Sequence, residues 1–377
     1  NKMRIESLNL HHYRNYDSLH LEFDEGMQIL TGLNAQGKTN ILESIICLST
    51  ARSHRGVEDE LLIQSNYESC EIKGSIVQKN RRQELKVMIS NQGKNLFVYQ
   101  QPIRKVSEFI GICNAVMFCP DDMTLFQASP RVRRKFIDIE LSKMSKTFTQ
   151  ALMNSHKVLK ERNAYLKHDK IDLTYLKILN SQLIDYEVIV MKQRYQFLSK
   201  LMNCSKSFYK ELSGDNTNIS FKYESCVSQF DNVEDMKKEL NDKYQKSFER
   251  DQILKQTTIG FHKDDIIFNL NDLSMNSSAS QGQKRSALLA MKLGIVFMIF
   301  EITKEYPILL LDDVFSELDQ VRRKKLLEIL PTEIQVFIST TNVYDEIIDL
   351  NRKITCWHVE AGNVTIEQGG ELNGTKL

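Results

Sequence analysis

The stretch "QILTGLNAQGKTNILES", Gln28 to Ser44, decides the class of this chain. An apolar run leads into Gly32-Leu33-Asn34-Ala35-Gln36-Gly37-Lys38-Thr39, which matches the pattern G-x-x-x-x-G-K-[ST]. Its glycines let the backbone bend so that successive N–H groups point inward at phosphate oxygens. A helix that starts near Lys38 adds its positive end to the same place. The helix is signalled by Ile41, Leu42, Ile45 and Leu48, spaced three and four apart. Lys38 is expected to reach the β- and γ-phosphates, Thr39 to ligate Mg2+, and Asn40 to lie beside them.

A phosphate cradle needs a metal-binding acid. Asp312 ends the apolar run Ile308-Leu309-Leu310-Leu311, which reads as a buried parallel strand. Ligands sit at the C-terminal ends of such strands. Asp312 is therefore expected to hold Mg2+, and Asp313 to orient or deprotonate an attacking water. The competing reading is two solvent-facing acids after a core strand. About 270 residues separate Thr39 from Asp312. Small GTPases and kinases keep these two parts close in sequence. Here the two terminal segments are expected to build one lobe and the middle of the chain an arm.

The bulk numbers exclude several classes. Lys+Arg 50 against Asp+Glu 49 gives a net charge of +1, which rules out a histone-like coat but not a local basic face. The seven cysteines include no C-x-x-C pair, so reduced core thiols are expected rather than a zinc site. No leader-like segment and no run of eighteen apolar residues is found, so a soluble, cytoplasmic chain with no membrane partner is expected.

Along the chain, "RIESLNL" and "SLHLEF" alternate as two strands, with Arg14-Asn15-Tyr16-Asp17 as the turn. The segments "ESCEIKGSIV", "ELKVMIS", "NLFVYQQ" and "AVMFC" read as further strands of an antiparallel sheet. At Ser129-Pro130 the pattern becomes helical. Two periodic runs, Ile137 to Leu159 and Leu176 to Phe208, suggest an antiparallel pair of helices of roughly 30 residues each, about 45 Å long. A functional arm and a plain helical subdomain are indistinguishable at this level. The expected division is 3–128 and 256–368 for the ATPase lobe, 129–255 for the helical lobe, and 369–377 as a frayed tail.

Ser280-Gln281-Gly282-Gln283 precedes a long apolar helix. Alone it could be a helix N-cap. In order and spacing it resembles the S-G-G-Q signature of ABC-type ATPases, which contacts the γ-phosphate held by another subunit. Ser316, Glu317 and Asp319 likewise resemble the D-loop of that dimer seam.

The resemblance is closer than superfamily. "HHYRNYDSLHLEF", "GLNAQGKTNILESI", "STARSHR", "PDDMTLFQASPRVRRKFID", "SASQGQKRSALLAMKLG" and "ILLLDDVFSELD" stand in the order and spacing of the bacterial RecF family, short-armed relatives of SMC proteins, from Met3 to about Val364. That resemblance implies an α/β ABC/SMC-type P-loop head of mixed and antiparallel sheet, with an inserted helical lobe and short antiparallel arm. It implies ATP and Mg2+ as cofactors, an ATP-dependent homodimer, and slow, DNA-stimulated hydrolysis used as a switch. It also implies binding of double-stranded and gapped DNA, action with RecO and RecR in loading RecA, and a nucleoid-associated location. Arg14 and Asn15 match the family's N-terminal turn and are expected near the nucleotide. Thr341 stands where ABC ATPases carry a switch histidine. "GFHKDD", Gly260 to Asp265, departs from a family pattern nearer G-P-H-R-D-D.

Three basic clusters are candidate DNA contacts: Arg131, Arg133 and Arg134 in a first helical turn; Lys79, Arg81 and Arg82 at a hairpin tip; and Arg55. Cations at a helix N-terminus are disfavoured by about 0.3–1 kcal/mol each, so compensation by phosphate or carboxylate is expected. Phosphate contacts of this kind carry no sequence readout.

Overall fold

The computed structural model describes residues 2–348 and 350–367. The chain divides into two compact units, 1–123 with 207–215 and 288–377, and 124–206 with 216–287. The expected tail 369–377 lies outside the described residues.

In the first unit, alternation, interrupted in β1 by a register shift between Ile5 and Ser7, builds β1 (Arg4–Tyr13) and β2 (Tyr16–Glu22), an antiparallel hairpin. Arg14 turns it with φ 51°. β3 (Met27–Thr31) is buried at every position, as a central parallel strand requires. Helix α1 (Lys38–Thr50) follows, and Ile41, Leu42, Ile45 and Leu48 are fully buried in one core with Leu8, Ile72 and Leu310. Each such side chain contributes roughly 1.5–3 kcal/mol. Next come β4 (Ser69–Gln78), β5 (Arg81–Ser90), β6 (Gly93–Val98) and β7 (Gln101–Ile103), all antiparallel. The short helix α2 (Val106–Phe109) leads to β8 (Ala115–Phe118). β8 corrects the sequence reading: it is buried throughout and pairs parallel with β12 (Ile308–Asp312), not with the antiparallel sheet. Four apolar residues in a row, with no polar alternation, are the mark of that environment.

The second unit starts with α3 (Pro130–Met144) and α4 (Lys146–Tyr165). One continuous helix was expected here. The break falls at Ser145, whose hydroxyl accepts from the Phe148 N–H and caps α4. α5 (Leu173–Ser213) runs 41 residues, longer than expected, and its last turns belong to the first unit. β9 (Ile219–Glu224), α6 (Val233–Leu254), β10 (Asp265–Leu270), β11 (Leu273–Ser274) and the short α7 (Met275–Ser278) complete the unit. β10 pairs with β9 from Asp265↔Glu224 to Leu270↔Ile219, which holds residues 265–270 in this unit. The boundary expected at 255/256 therefore falls inside α8 (Gln281–Thr303). Among the described residues α8 is also the one helix apolar and long enough to cross a membrane by composition, and 72% of that stretch is buried in the protein.

The chain returns to the first unit with β12, α9 (Gln320–Ile329), β13 (Val336–Thr340), α10 (Asp345–Ile348), β14 (Ile354–Glu360) and β15 (Asn363–Ile366). The second sheet has the order β15-β14-β3-β13-β12-β8, parallel except for β15. Its register places Thr31 beside Thr340, and Ser339 beside Asp312, at the C-terminal ends of three adjacent strands.

The departure at "GFHKDD" has a physical account within the second unit. Phe261 is fully buried, edge-on to His156, and its carbonyl accepts from Arg194 Nη1 at 2.7 Å. Beside it, Glu187 is fully buried; Tyr244 OH and the Phe261 N–H donate to it. Burial raises the Glu187 pKa to about 8, against the two hydrogen bonds, with Asp264 adding to the rise and Arg162 opposing it. An unfolded glutamate titrates near 4.3. The protonated form thus stabilises the fold fully below about pH 4.3, and that contribution is lost as pH rises toward 8. Relative to Glu187→Gln, the wild type is expected to lose stability with pH by up to about 1.4 kcal/mol per unit across this window. Urea midpoints of both proteins at several pH values, followed by circular dichroism, check this; parallel profiles would refute it.

Candidate nucleotide site

The loop between β3 and α1 is bent into a cup. Ala35 and Gly37 have left-handed backbones, φ 65° and 111°. For Ala35 this costs roughly 1–2 kcal/mol. Gly37 is required, because a side chain there would meet Tyr16 OH and Asn15 Nδ2. Gly37 is also the N-cap of α1, with no side-chain cap and no acidic residue in the first turn. The first N–H groups of α1 are thus left as donors for an anion. Lys38 Nζ bonds the carbonyls of Gly32 and Thr340. Burial lowers its pKa, while Asp313 and Asp312 oppose that.

Across the cup, Thr39 Oγ1 donates to Asp312 at 3.0 and 3.2 Å, and Ser339 Oγ donates to Asp312 Oδ1. Asp312 is buried. Asp313 has φ 50°, its N–H is held by the Ser339 carbonyl and hydroxyl at 3.1 Å, and Ser316 Oγ donates to its carboxylate at 2.9 Å. Asn34, Ala35, Gly37, Lys38, Thr39, Asn40, Arg55, Pro120, Asp312, Asp313, Ser339 and Thr340 line one cavity of about 500 Å³. The donor set fits a triphosphate and a hard cation: an uncapped helix start and an ammonium for the anion, a hydroxyl and a buried carboxylate for the metal. Among the described residues no cluster of three or more His, Cys, Asp or Glu could hold a metal by itself. Ligand-supplied oxygens suit such a site better than a protein cage.

Arg14 does not point into this cavity. It forms a paired contact with Glu43, 2.9 Å at both oxygens, and Glu43 also accepts from Tyr13 OH and Ser53 Oγ. Burial raises the Glu43 pKa, but the bonds from Arg14, Ser53 and Tyr13 outweigh it and hold the carboxyl below its ordinary value. Arg14 thus anchors α1 to the β1–β2 turn. Asn15 stands next to the loop, donating to the Gln36 carbonyl at 3.2 Å and accepting from Asn40 at 3.0 Å. Arg55, grouped with the DNA candidates, lines this cavity; it lies 3.6 Å from Glu43 and donates to Asn40 Oδ1. Only tertiary proximity to Glu43 reveals this role, since nothing in "SHR" signals it.

The other sequence candidates fall as follows. Ser280 caps α8: the Gln283 N–H donates to its hydroxyl, and the Gln283 side chain accepts from the Ser280 N–H. Ser280 and Gln281 are exposed, and a Cβ added at Gly282 would meet only Ser280 Oγ, at 4.0 Å. Ser316, Glu317 and Asp319 are exposed on the turn after β12, and Asp319 caps α9. Thr341 is exposed directly after β13. Of the basic clusters, Arg133 is paired with Asp265 at 2.8 Å and Arg134 donates to the Asp264 carbonyl, so carboxylate and carbonyl supply the compensation there. Arg131 remains exposed. Lys79 and Asn80, both left-handed, form the tip between β4 and β5; Lys79 and Arg81 are exposed, and Arg82 pairs with Glu6.

Residues 4–355 match the family model described as the RecF/RecN/SMC N terminal domain. The chain is 40% identical over 364 residues to the DNA replication and repair protein RecF of Streptococcus suis, covering 96% of this chain and 99% of that one. It is 39% identical over 371 residues to the RecF of Oenococcus oeni, at the same coverage. Among solved structures it is similar to one described as the recombination mediator protein RecF–ATP in the RecFOR pathway, with TM-score 0.90, 30% identity, and coverage of 97% and 98%. An Smc head domain from Pyrococcus furiosus shares the fold alone, with TM-score 0.53 at 16% identity.

Proposed function

We propose that this chain, which belongs to the RecF family within the RecF/RecN/SMC group of ABC-type P-loop ATPases, is an ATP-gated DNA-repair clamp that closes as a head-to-head homodimer. The observation that carries the reading is the meeting of Thr39 and Asp312, 273 residues apart, across a cup of uncapped amides. Bound Mg2+-ATP supplies the scissile phosphoanhydride. The amides of Gly37 to Thr39 and the Lys38 ammonium hold the phosphates, and Thr39 and Asp312 take the metal. Asp313 positions the attacking water and accepts its proton. Ser280 to Gln283, an exposed helix start, meets the terminal phosphate held by a second copy, with Ser316, Glu317 and Asp319 at the seam. Thr341 takes the switch position with a hydroxyl.

The dimer binds double-stranded and gapped DNA through phosphate contacts, for which Arg131, Lys79 and Arg81 are the exposed candidates. Slow hydrolysis reopens it. By its likeness to relatives of the RecFOR pathway, the chain acts with RecO and RecR toward RecA loading in the cytoplasm. The domain reading is an ATPase lobe with an inserted helical lobe.

Mixing a Lys38→Met chain with a Ser280→Arg chain tests the shared site. Each alone is inactive, and their mixture should regain up to about half of the wild-type sites' activity by re-forming one intact pair. No recovery would argue against a site shared between copies.

A further inference from the structure

We propose that the β14–β15 hairpin is a clasp on the phosphate loop, closed through Gln36, and that it sets how long a nucleotide stays bound. The inference rests on the nucleotide reading above. Ala35 and Gly37 line the cavity, but the Gln36 side chain turns the other way. Its Oε1 accepts from the Ala361 N–H at 2.8 Å, joining residues 325 apart. Ala361 and Gly362, with φ 46° and 79°, make the two-residue turn of the hairpin, closed by the Glu360↔Asn363 pair. The other face of that turn abuts the β1–β2 turn: a side chain at Gly362 would stand 2.8 Å from the Asn15 carbonyl. Asn15 in turn donates to the Gln36 carbonyl and accepts from Asn40. Gln36 is thus held at its side chain by one hairpin and at its backbone by the other.

The reason to hold it lies in the loop itself. The left-handed residues on either side of Gln36 are what turn successive amides toward one anion. Ala35 adopts that conformation against its own preference, and such backbones persist where the surroundings over-determine them. With Gln36 pinned, the cup is preformed and release requires a fixed loop to let go. Unpinned, the loop relaxes and the anion leaves sooner.

The test uses the full chain and a fluorescent N-methylanthraniloyl ATP analogue with Mg2+. Gln36→Met keeps length and removes the acceptor. It is expected to raise the stopped-flow release rate about tenfold, with an unchanged melting temperature and faster hydrogen exchange at 361–363 but not in β9. Release within twofold of wild type overturns the clasp, even where hairpin exchange speeds up. If Gln36→Met does not fold, Gly362→Ala, whose side chain would stand 2.8 Å from the Asn15 carbonyl and push the β14–β15 turn off Gln36, carries the same expectation and the same refutation. A wild type that binds no analogue sinks the nucleotide reading and the clasp with it; binding with unchanged release sinks the clasp alone.

Discussion

Asp313→Asn is expected to bind ATP within about threefold of the wild-type affinity and to hydrolyse it about 10²–10⁴-fold more slowly, the range supplied by a positioned general base. The substitution isolates chemistry from geometry. Asp313 has φ 50°, and asparagine tolerates that backbone better than any residue except glycine. The bonds from its N–H to Ser339 need only the backbone, and Asn Oδ1 can still accept from Ser316. The variant therefore keeps the shape and loses the basic oxygen. Single-turnover hydrolysis with a binding titration on the same sample checks it. Equal turnover in both proteins would favour a scaffold gated by nucleotide binding alone. Asp312→Asn is a different case, because Asp312 receives both Thr39 and Ser339 and belongs to the proposed metal site.

Asp251→Leu is expected to destabilise the second unit by about 3–5 kcal/mol, the cost of leaving one member of a buried ion pair without its partner. Arg162 and Asp251 are both fully buried and 2.8 Å apart. Arg162 also donates to Asn180 on α5 and to Thr257, while Asp251 accepts from Thr258. One pair therefore fastens α4, α5, α6 and the loop after α6. Arg162→Leu should cost a similar amount, and the double replacement should recover much of it, because two apolar side chains leave no buried charge. Hydrogen exchange of α4 and α6 amides in the full chain reads the effect. The fluorescence of Trp357, in the other unit, serves as an internal control. A loss under about 1 kcal/mol for either single variant would mean that water reaches the pair.

Much of the nucleotide site was legible as sequence because its parts are local. Eight residues, Gly32 to Thr39, fix the cup, and an apolar strand ending in Asp312-Asp313 announces where the acids stand. Periodicity likewise located the long helices. It missed the break at Ser145, because a capping serine disturbs the backbone without disturbing the apolar spacing. It misassigned Ala115–Phe118, because the segment follows a run of alternating strands in sequence while its own unbroken apolar run belongs to the parallel sheet. The basic clusters were less legible for the opposite reason. Charge is visible in a sequence but its partner is not, and Asp265 and Glu6 lie 132 and 76 residues from the arginines they pair with.

By itself, the sequence determined the class of this protein: a phosphate loop, a distant acid-tipped strand, a signature before an apolar helix, and the family they resemble. Each is a short-range pattern, written in spacing. Only the tertiary structure decided which side chains serve that loop. It took Arg14 out of the cavity and gave it to Glu43, brought Arg55 in, and set Gln36 against Ala361. These pairings depend on strand order in two sheets, and strand order is fixed by burial summed over the whole core, which no local stretch encodes.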